Sequence, residues 1–159
     1  IVMPNIPSEI GMGMSVAYTL PTLLESSKNF VEKLFSAIGE ILWVDRESDI
    51  DVVTAISGSG PAYVFLLIES LVSAGEFNGL TKELSMKLAL MTVKGSGALA
   101  HYSANSEPFK QPDELRDSVT SPNGTTEAAL KVLMNNDIFL KLIEKAVTDA
   151  KDRSIELSK

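Results

Sequence analysis

The sequence predicts a mainly α protein with a short α/β lead-in, and three observations carry that prediction. Apolar residues recur at helical spacing through nearly all of the chain after Glu47. Before that point, a helical pattern from Leu23 to Ile38 leads by a tight turn at Gly39 into a strand-like run, Glu40-Ile41-Leu42-Trp43-Val44-Asp45. The helical part then carries its own punctuation, with Gly and Pro clusters separating one periodic segment from the next. Residues 1–45 form the α/β part and residues 46–159 the helical part.

Taken in order, Ile1-Val2-Met3 reads as the end of a buried strand broken by Pro4, and Ser15-Val16-Ala17-Tyr18 as a second short strand. Leu23, Leu24, Phe30, Val31, Leu34, Phe35 and Ile38 line one helical face, and Gly39 is expected to end that helix. A short helix is expected over Asp49–Ile56. Ser57-Gly58-Ser59-Gly60-Pro61 then reads as a break, with Pro61 in the first turn of a new helix running to about Ala74. That helix has no polar face through Val64, Phe65, Leu66, Leu67, Ile68, Leu71 and Val72, which suits a core helix or an oligomer interface. Thr81 is expected to cap a helix to about Tyr102. Its small cluster Gly95-Ser96-Gly97-Ala98, costing roughly 1 kcal/mol per glycine, predicts a close helix crossing. A polar linker over 105–112 precedes three more helices, at Pro112–Val119, Thr126–Met134 and Ile138–Leu157.

Composition removes several function classes. A chain of 159 residues suits one domain, or one domain plus part of another. The net charge of −7 argues against nucleic acid or an anionic membrane surface as the main partner. Without cysteine there is no disulfide or thiolate chemistry, and with His101 as the one histidine there is no histidine-rich metal site. Signal-peptide features are not visible, and the apolar run between Val52 and Ile68 is interrupted too early to span a bilayer. A soluble cytoplasmic or organellar protein is the default expectation, with the cytoplasm preferred, and the abrupt apolar start suggests a chain that begins mid-protein.

One segment points to chemistry. Asp117-Ser118-Val119-Thr120-Ser121-Pro122-Asn123-Gly124-Thr125-Thr126-Glu127 is a polar turn opening into an amphipathic helix, with Thr125 or Thr126 expected as its N-cap. The first N–H groups of a helix have no internal partner, and the helix dipole adds partial positive charge there. Hydroxyls and free N–H groups at such a point suit a carboxylate or phosphate, and Gly124 lets the backbone come close to it. An ordinary capped helix after a turn accounts for the same residues. Elsewhere, Glu47, Asp49 and Asp51 cluster at a helix start, where the dipole favours them. No Gly-x-Ser-x-Gly elbow, phosphate loop or Gly-x-Gly-x-x-Gly fingerprint is present.

Three segments resemble the pyrroline-5-carboxylate reductase family. Asp51-Val52-Val53-Thr54-Ala55-Ile56-Ser57-Gly58-Ser59-Gly60-Pro61-Ala62-Tyr63 is similar to one of its segments. Asp117–Thr126 overlaps the family's signature loop, and Val2-Met3-Pro4-Asn5-Ile6-Pro7 looks like its Met-Pro-Asn-Thr-Pro segment with Ile6 in place of Thr. All three occur in the family's order. The resemblance implies NADPH- or NADH-dependent reduction of the ring C=N of 1-pyrroline-5-carboxylate to L-proline. It also implies a Rossmann domain whose last elements are residues 1–45, followed by a helical domain over 46–159 that dimerises and binds substrate. Self-association is implied at least to a homodimer, in some members to decamers.

Carried over by residue, the resemblance places the substrate carboxylate on the backbone of Ser121, Gly124, Thr125 and Thr126. It gives the Thr126 hydroxyl the ring nitrogen, to position the imine and assist proton delivery. Ser118 matches a position beside the nicotinamide that is often Asn in the family. Asn123 stands where the family usually has the first Gly of a Pro-Gly-Gly run, and Asn tolerates positive φ. Glu47 matches an acidic position near the substrate pocket, and Asn5 lies in a segment near the cofactor. The dinucleotide-binding half, about 100 residues by ordinary domain size, is expected to lie outside this chain, which alone is not expected to turn over. Two other readings stand beside this one. One is a stand-alone helical dimerisation module binding a small carboxylate, and the other is a related dehydrogenase of another small acid.

Overall fold

A computed structural model describes residues 1–158, so residue 159 of the expected helical part lies outside the described residues. The chain folds as two compact units, Ile1–Tyr63 together with the C-terminal stretch from Ile143, and Val64–Leu142.

The first unit is built on a three-stranded sheet. β1 (Val2–Met3) pairs antiparallel with β2 (Gly13–Tyr18), and β2 pairs in parallel with β3 (Gly39–Val44). The central strand is the most deeply buried, with Ser15, Val16 and Ala17 inside. A 3₁₀ turn, Ile6–Ile10, links β1 to β2 and ends on Gly11 in the left-handed conformation. α1 (Glu25–Phe35) connects the two parallel strands. It is fastened to β3 by Trp43, whose indole N–H donates to Glu32 at 2.8 Å while Lys28 sits 5.8 Å over the ring. The expected helix over Leu23–Ile38 is thus shorter at both ends. Gly39 does not cap it: it opens β3 opposite Gly13, where an added Cβ would lie 2.0 Å from the Gly13 carbonyl oxygen.

The expected break at Ser57–Pro61 is replaced by a helix that does not stop. α2 (Asp49–Val53) passes through a π-helical turn, Thr54–Gly58, straight into α3 (Gly60–Phe77). Ser, Gly and Pro read as a break because each favours non-helical backbone. Here the widened turn absorbs them, because the donors lost to widening are replaced. The Thr54 hydroxyl donates to the Ile50 carbonyl at 2.8 Å, and the Ser57 hydroxyl to the Val53 carbonyl at 3.1 Å. The Ser59 N–H donates to the Thr54 carbonyl at 2.8 Å, and the Tyr63 hydroxyl to the Ala55 carbonyl at 3.1 Å. The Asn5 amide N–H reaches the Ser57 carbonyl at 3.0 Å, while its Oδ1 accepts the Met14 N–H at 2.9 Å. One consequence is that the continuous helix Asp49–Phe77 is long and apolar enough, by length and composition, to cross a membrane. From the far end of the chain, the Ser154 hydroxyl of α7 (Ile138–Leu157) donates to Asp51 at 2.7 Å.

The second unit contains most of α3, α4 (Lys82–Ala104), α5 (Pro112–Ser118) and α6 (Thr125–Leu133). α3 ends in a Schellman arrangement around left-handed Gly79, with the Leu80 N–H on the Gly75 carbonyl and the Gly79 N–H on the Glu76 carbonyl, both at 3.0 Å. Thr81 caps α4 as expected, its hydroxyl accepting the Leu84 N–H at 3.3 Å. The close approach of α3 and α4 lies at Gly75 and buried Ser85, where an added Cβ on Gly75 would sit 2.5 Å from the Ser85 hydroxyl. It does not lie at Gly95–Ala98: added Cβ atoms on Gly95 and Gly97 meet nothing within 4 Å. Few side chains are buried. Phe65 is 53% exposed, Leu66 61% and Phe77 91%, and Leu84, Leu88, Leu90, Met91 and Leu99 of α4 are exposed with them.

Candidate active site

The expected substrate loop is built between two short helices. α5 starts with a capping box in which the Gln111 N–H donates to Glu114 at 2.7 Å, and Pro112 fits the first turn. Where α5 stops, side chains take over the loose carbonyls. The Ser118 hydroxyl donates to the Leu115 carbonyl and the Thr120 hydroxyl to the Arg116 carbonyl, both at 2.7 Å. The chain then turns at Ser121-Pro122-Asn123-Gly124, closed by the Gly124 N–H on the Ser121 carbonyl at 3.0 Å. Asn123 takes the left-handed conformation, φ 58°, a region Asn enters more readily than most residues.

The helix start is one residue earlier than expected. Gly124, not Thr125 or Thr126, is the N-cap of α6, with extended backbone (φ −84°, ψ 174°), and no side chain caps it. The two threonines occupy the first and second helical positions. The shift follows from the turn at Asn123, which delivers extended backbone at Gly124 already. A Cβ on Gly124 would lie 2.3 Å from the Ser121 hydroxyl and 3.0 Å from the Ser121 carbonyl oxygen, so a side chain there fits only if the hydroxyl rotates away and the carbonyl gives by a few tenths of an ångström.

The consequence is a helix terminus left open. The N–H groups of Thr125, Thr126 and Glu127 have no partner among the described residues, nor do the hydroxyls of Ser121, Thr125 and Thr126. Three threonines inside or at the end of helices behave differently. Thr54, Thr120 and Thr148 each turn their hydroxyl back onto the carbonyl four residues earlier, at 2.8, 2.7 and 2.8 Å. Such an array of donors at the positive end of a helix binds an anionic oxygen well.

Sequence reasoning missed Glu127. Its carboxylate accepts the Asn123 N–H and pairs with Lys131 at 2.8 Å. The Lys131 ammonium, and next the Asn123 N–H, hold the Glu127 carboxyl below the usual glutamate range. The signal was available: a Glu three residues beyond a helix N-cap reaches back over it.

The remaining expected residues lie in the first unit. Asn5 uses both ends of its amide, on Ser57 and on Met14. Glu47 lines an open cleft of about 440 Å³ with Ile1, Tyr18, Thr19, Leu20, Thr22 and Leu23. Among the described residues no group of three or more His, Cys, Asp or Glu side chains stands ready for a metal ion.

The family described as "Pyrroline-5-carboxylate reductase dimerisation" matches residues 47–157. A pyrroline-5-carboxylate reductase of Pseudomonas aeruginosa is 44% identical over 156 residues, covering 98% of this chain and 55% of that protein. The Glycine max enzyme is 41% identical over 157 residues, covering 99% and 55%. The chain therefore spans about half the length of the curated relatives it matches. Among solved structures, a Coxiella burnetii pyrroline-5-carboxylate reductase superposes with a TM-score of 0.91 at 41% identity, covering 99% of this chain and 56% of that one. A Plasmodium falciparum pyrroline carboxylate reductase with NADP bound gives 0.87 at 37%, covering 99% and 62%. With a family match over most of its length and these relatives beside it, the chain belongs to the pyrroline-5-carboxylate reductase family.

Proposed function

We propose that this chain supplies the substrate-binding and dimerisation half of an enzyme that reduces 1-pyrroline-5-carboxylate to L-proline. The observation that carries the reading is the open N-terminus of α6, whose first N–H groups and three neighbouring hydroxyls have no partner among the described residues. The substrate carboxylate rests on the loop Ser121, Gly124, Thr125 and Thr126, in charge-assisted hydrogen bonds from the open N–H groups of Thr125 and Thr126 at the positive end of the helix dipole, while Gly124, its own N–H closing the turn on Ser121, lets the carboxylate come close. The Thr126 hydroxyl holds the ring nitrogen. Reduction adds a hydride to the ring carbon of C=N and a proton to the nitrogen. NADPH or NADH, when bound, supplies the hydride; Thr126 orients the imine and passes a solvent proton toward the nitrogen.

In this reading residues 1–45 are the closing elements of a dinucleotide-binding domain, and residues 46–159 the helical domain. The Plasmodium relative with NADP bound supports nicotinamide cofactor use. Within this chain, Ser118 retains acceptor capacity beside the loop because its hydroxyl hydrogen is spent on Leu115. The family resemblance assigns Glu47 to the substrate and Asn5 to a segment near the cofactor, and both belong to the first unit.

Exposed Phe65, Leu66, Leu88 and Met91 on α3 and α4 are the dimer surface, and decamers are built from such dimers. The long apolar helix Asp49–Phe77 fits a subunit interface, and the matched dimerisation family includes it. The full-length gene product should oxidise NADPH or NADH with 1-pyrroline-5-carboxylate and release proline. No proline from a well-folded dimer would turn the reading toward a non-catalytic dimerisation module. In sedimentation at micromolar concentration the protein should run as a dimer or larger, and a well-behaved monomer would remove the interface assignment.

A further inference from the structure

The chain contains two Asn-Gly pairs, Asn78-Gly79 and Asn123-Gly124. Asn-Gly is the dipeptide most open to spontaneous deamidation. The glycine amide nitrogen attacks the asparagine side-chain carbonyl carbon, the C–N bond to the side-chain amide breaks, and ammonia leaves. Water then opens the resulting succinimide to aspartate or isoaspartate. Glycine favours the attack because it carries no Cβ to hinder it.

The structure treats the two pairs alike in one respect and differently in another. Both asparagines are exposed. Both glycine N–H groups donate to the carbonyl three residues back, Gly79 to Glu76 and Gly124 to Ser121, each at 3.0 Å, although at the first pair the glycine is left-handed and at the second the asparagine is. Each nucleophile is thus tied by one hydrogen bond of the same length. The side chains differ. Asn78 donates its amide N–H to the Ala74 carbonyl at 2.7 Å, which fixes the amide against its own helix. The Asn123 amide has no partner among the described residues.

We propose that Asn123 is a spontaneous modification site, deamidating well ahead of Asn78. The consequence rests on the proposed function. A new carboxylate at position 123, one residue before the N-cap of α6, competes with the substrate carboxylate for the open N–H groups. Isoaspartate also lengthens the backbone of the turn that sets Gly124 at the cap. One charge near a helix terminus corresponds to a roughly two- to fivefold change in binding at low ionic strength.

The test ages the full-length protein at mildly alkaline pH and 37 °C. Peptide mapping follows the mass increment from amide to acid at each asparagine. Asn123 is expected to convert first, with Asn78 lagging. Equal conversion, earlier conversion at Asn78 or no conversion at Asn123 overturns the site. In the same samples KM for 1-pyrroline-5-carboxylate should rise with the converted fraction, whereas aged Asn123→Gly protein should keep the KM of its own fresh preparation. Conversion with unchanged KM would leave the chemistry standing and overturn its link to the substrate loop. The mass readout needs no enzymatic activity, so its failure is distinct from failure of the proposed function.

Discussion

Two segments of this chain are made of nearly the same residues and do opposite things. Ser57-Gly58-Ser59-Gly60-Pro61 and Ser121-Pro122-Asn123-Gly124-Thr125 both combine Ser, Gly and Pro at the entrance of a helix. At the first, polar groups are spent inside the molecule. Thr54, Ser57, Tyr63 and Asn5 each donate to a carbonyl of the widened helix, and the helix runs on without a break. At the second, the hydroxyls of Ser121, Thr125 and Thr126 and the first N–H groups of α6 are spent on nothing among the described residues. The difference lies in where the neighbouring donors point, and it separates a structural turn from a ligand-ready one. An unsatisfied polar group is tolerated at the surface because water serves it, and a ligand can replace that water.

The contrast predicts opposite phenotypes. The largest effect is expected at Thr126. On the proposed function, Thr126→Ala in the full-length protein should lower turnover about tenfold or more, the loss expected if its hydroxyl positions the imine and assists protonation. Its cofactor affinity and melting temperature should stay near those of the parent. Unchanged turnover would take Thr126 out of the mechanism.

Asn5→Ala should show the reverse. It strips a donor from the Ser57 carbonyl and an acceptor from the Met14 N–H, both part-buried. Each group left unsatisfied costs about 1–3 kcal/mol. Chemical denaturation should report a loss of that order, larger than the loss from Thr126→Ala. A near-neutral Asn5→Ala would mean that the π turn holds itself without the amide.

Gly124→Ala sharpens the comparison further. The Ser121 hydroxyl, 2.3 Å from the added carbon, can rotate away, but the Ser121 carbonyl at 3.0 Å has to shift with the backbone. The turn should therefore open at the cap, and KM should rise several-fold with kcat less affected. The same substitution at Gly60, where an added Cβ meets nothing within 4 Å, should leave KM alone.

How much of this was legible in the sequence follows the same line. The helices of the second unit were readable because Thr81, Pro112 and the apolar spacing act locally. Left-handed Asn123 was readable because Asn before Gly, after Pro, has few alternatives. The π turn was not, because one of the donors that support it comes from Asn5, 52 positions away from Ser57. The 3₁₀ turn over Ile6–Ile10 was hidden for a related reason: Pro4 and Pro7 look like breakers when only their own neighbours are considered. The N-cap was misplaced by one residue because hydroxyl side chains usually outrank Gly there, and the shape of the preceding turn decided otherwise. Gly95–Ala98 misled because small residues announce a close approach without naming the partner, and within this chain the approach is made at Gly75.

The smallest effect concerns pH. The Glu127 carboxylate holds the loop through the Asn123 N–H and is itself held by Lys131, which keeps its folded pKa below the ordinary glutamate value. A depressed folded pKa means the contribution to loop order is fully present above the unfolded pKa. It fades as pH falls through the folded value. Substrate binding should weaken over that acidic window even while Thr126 and the backbone donors are unchanged. Glu127→Gln can still accept the Asn123 N–H but cannot titrate, so its KM should lose this part of the acid-side rise. The test is KM against pH for both proteins, with stability followed in parallel to exclude unfolding. If the two profiles coincide, the turn at Asn123 is set by its own backbone, and the open face of α6 needs no ionised Glu127 to stay open.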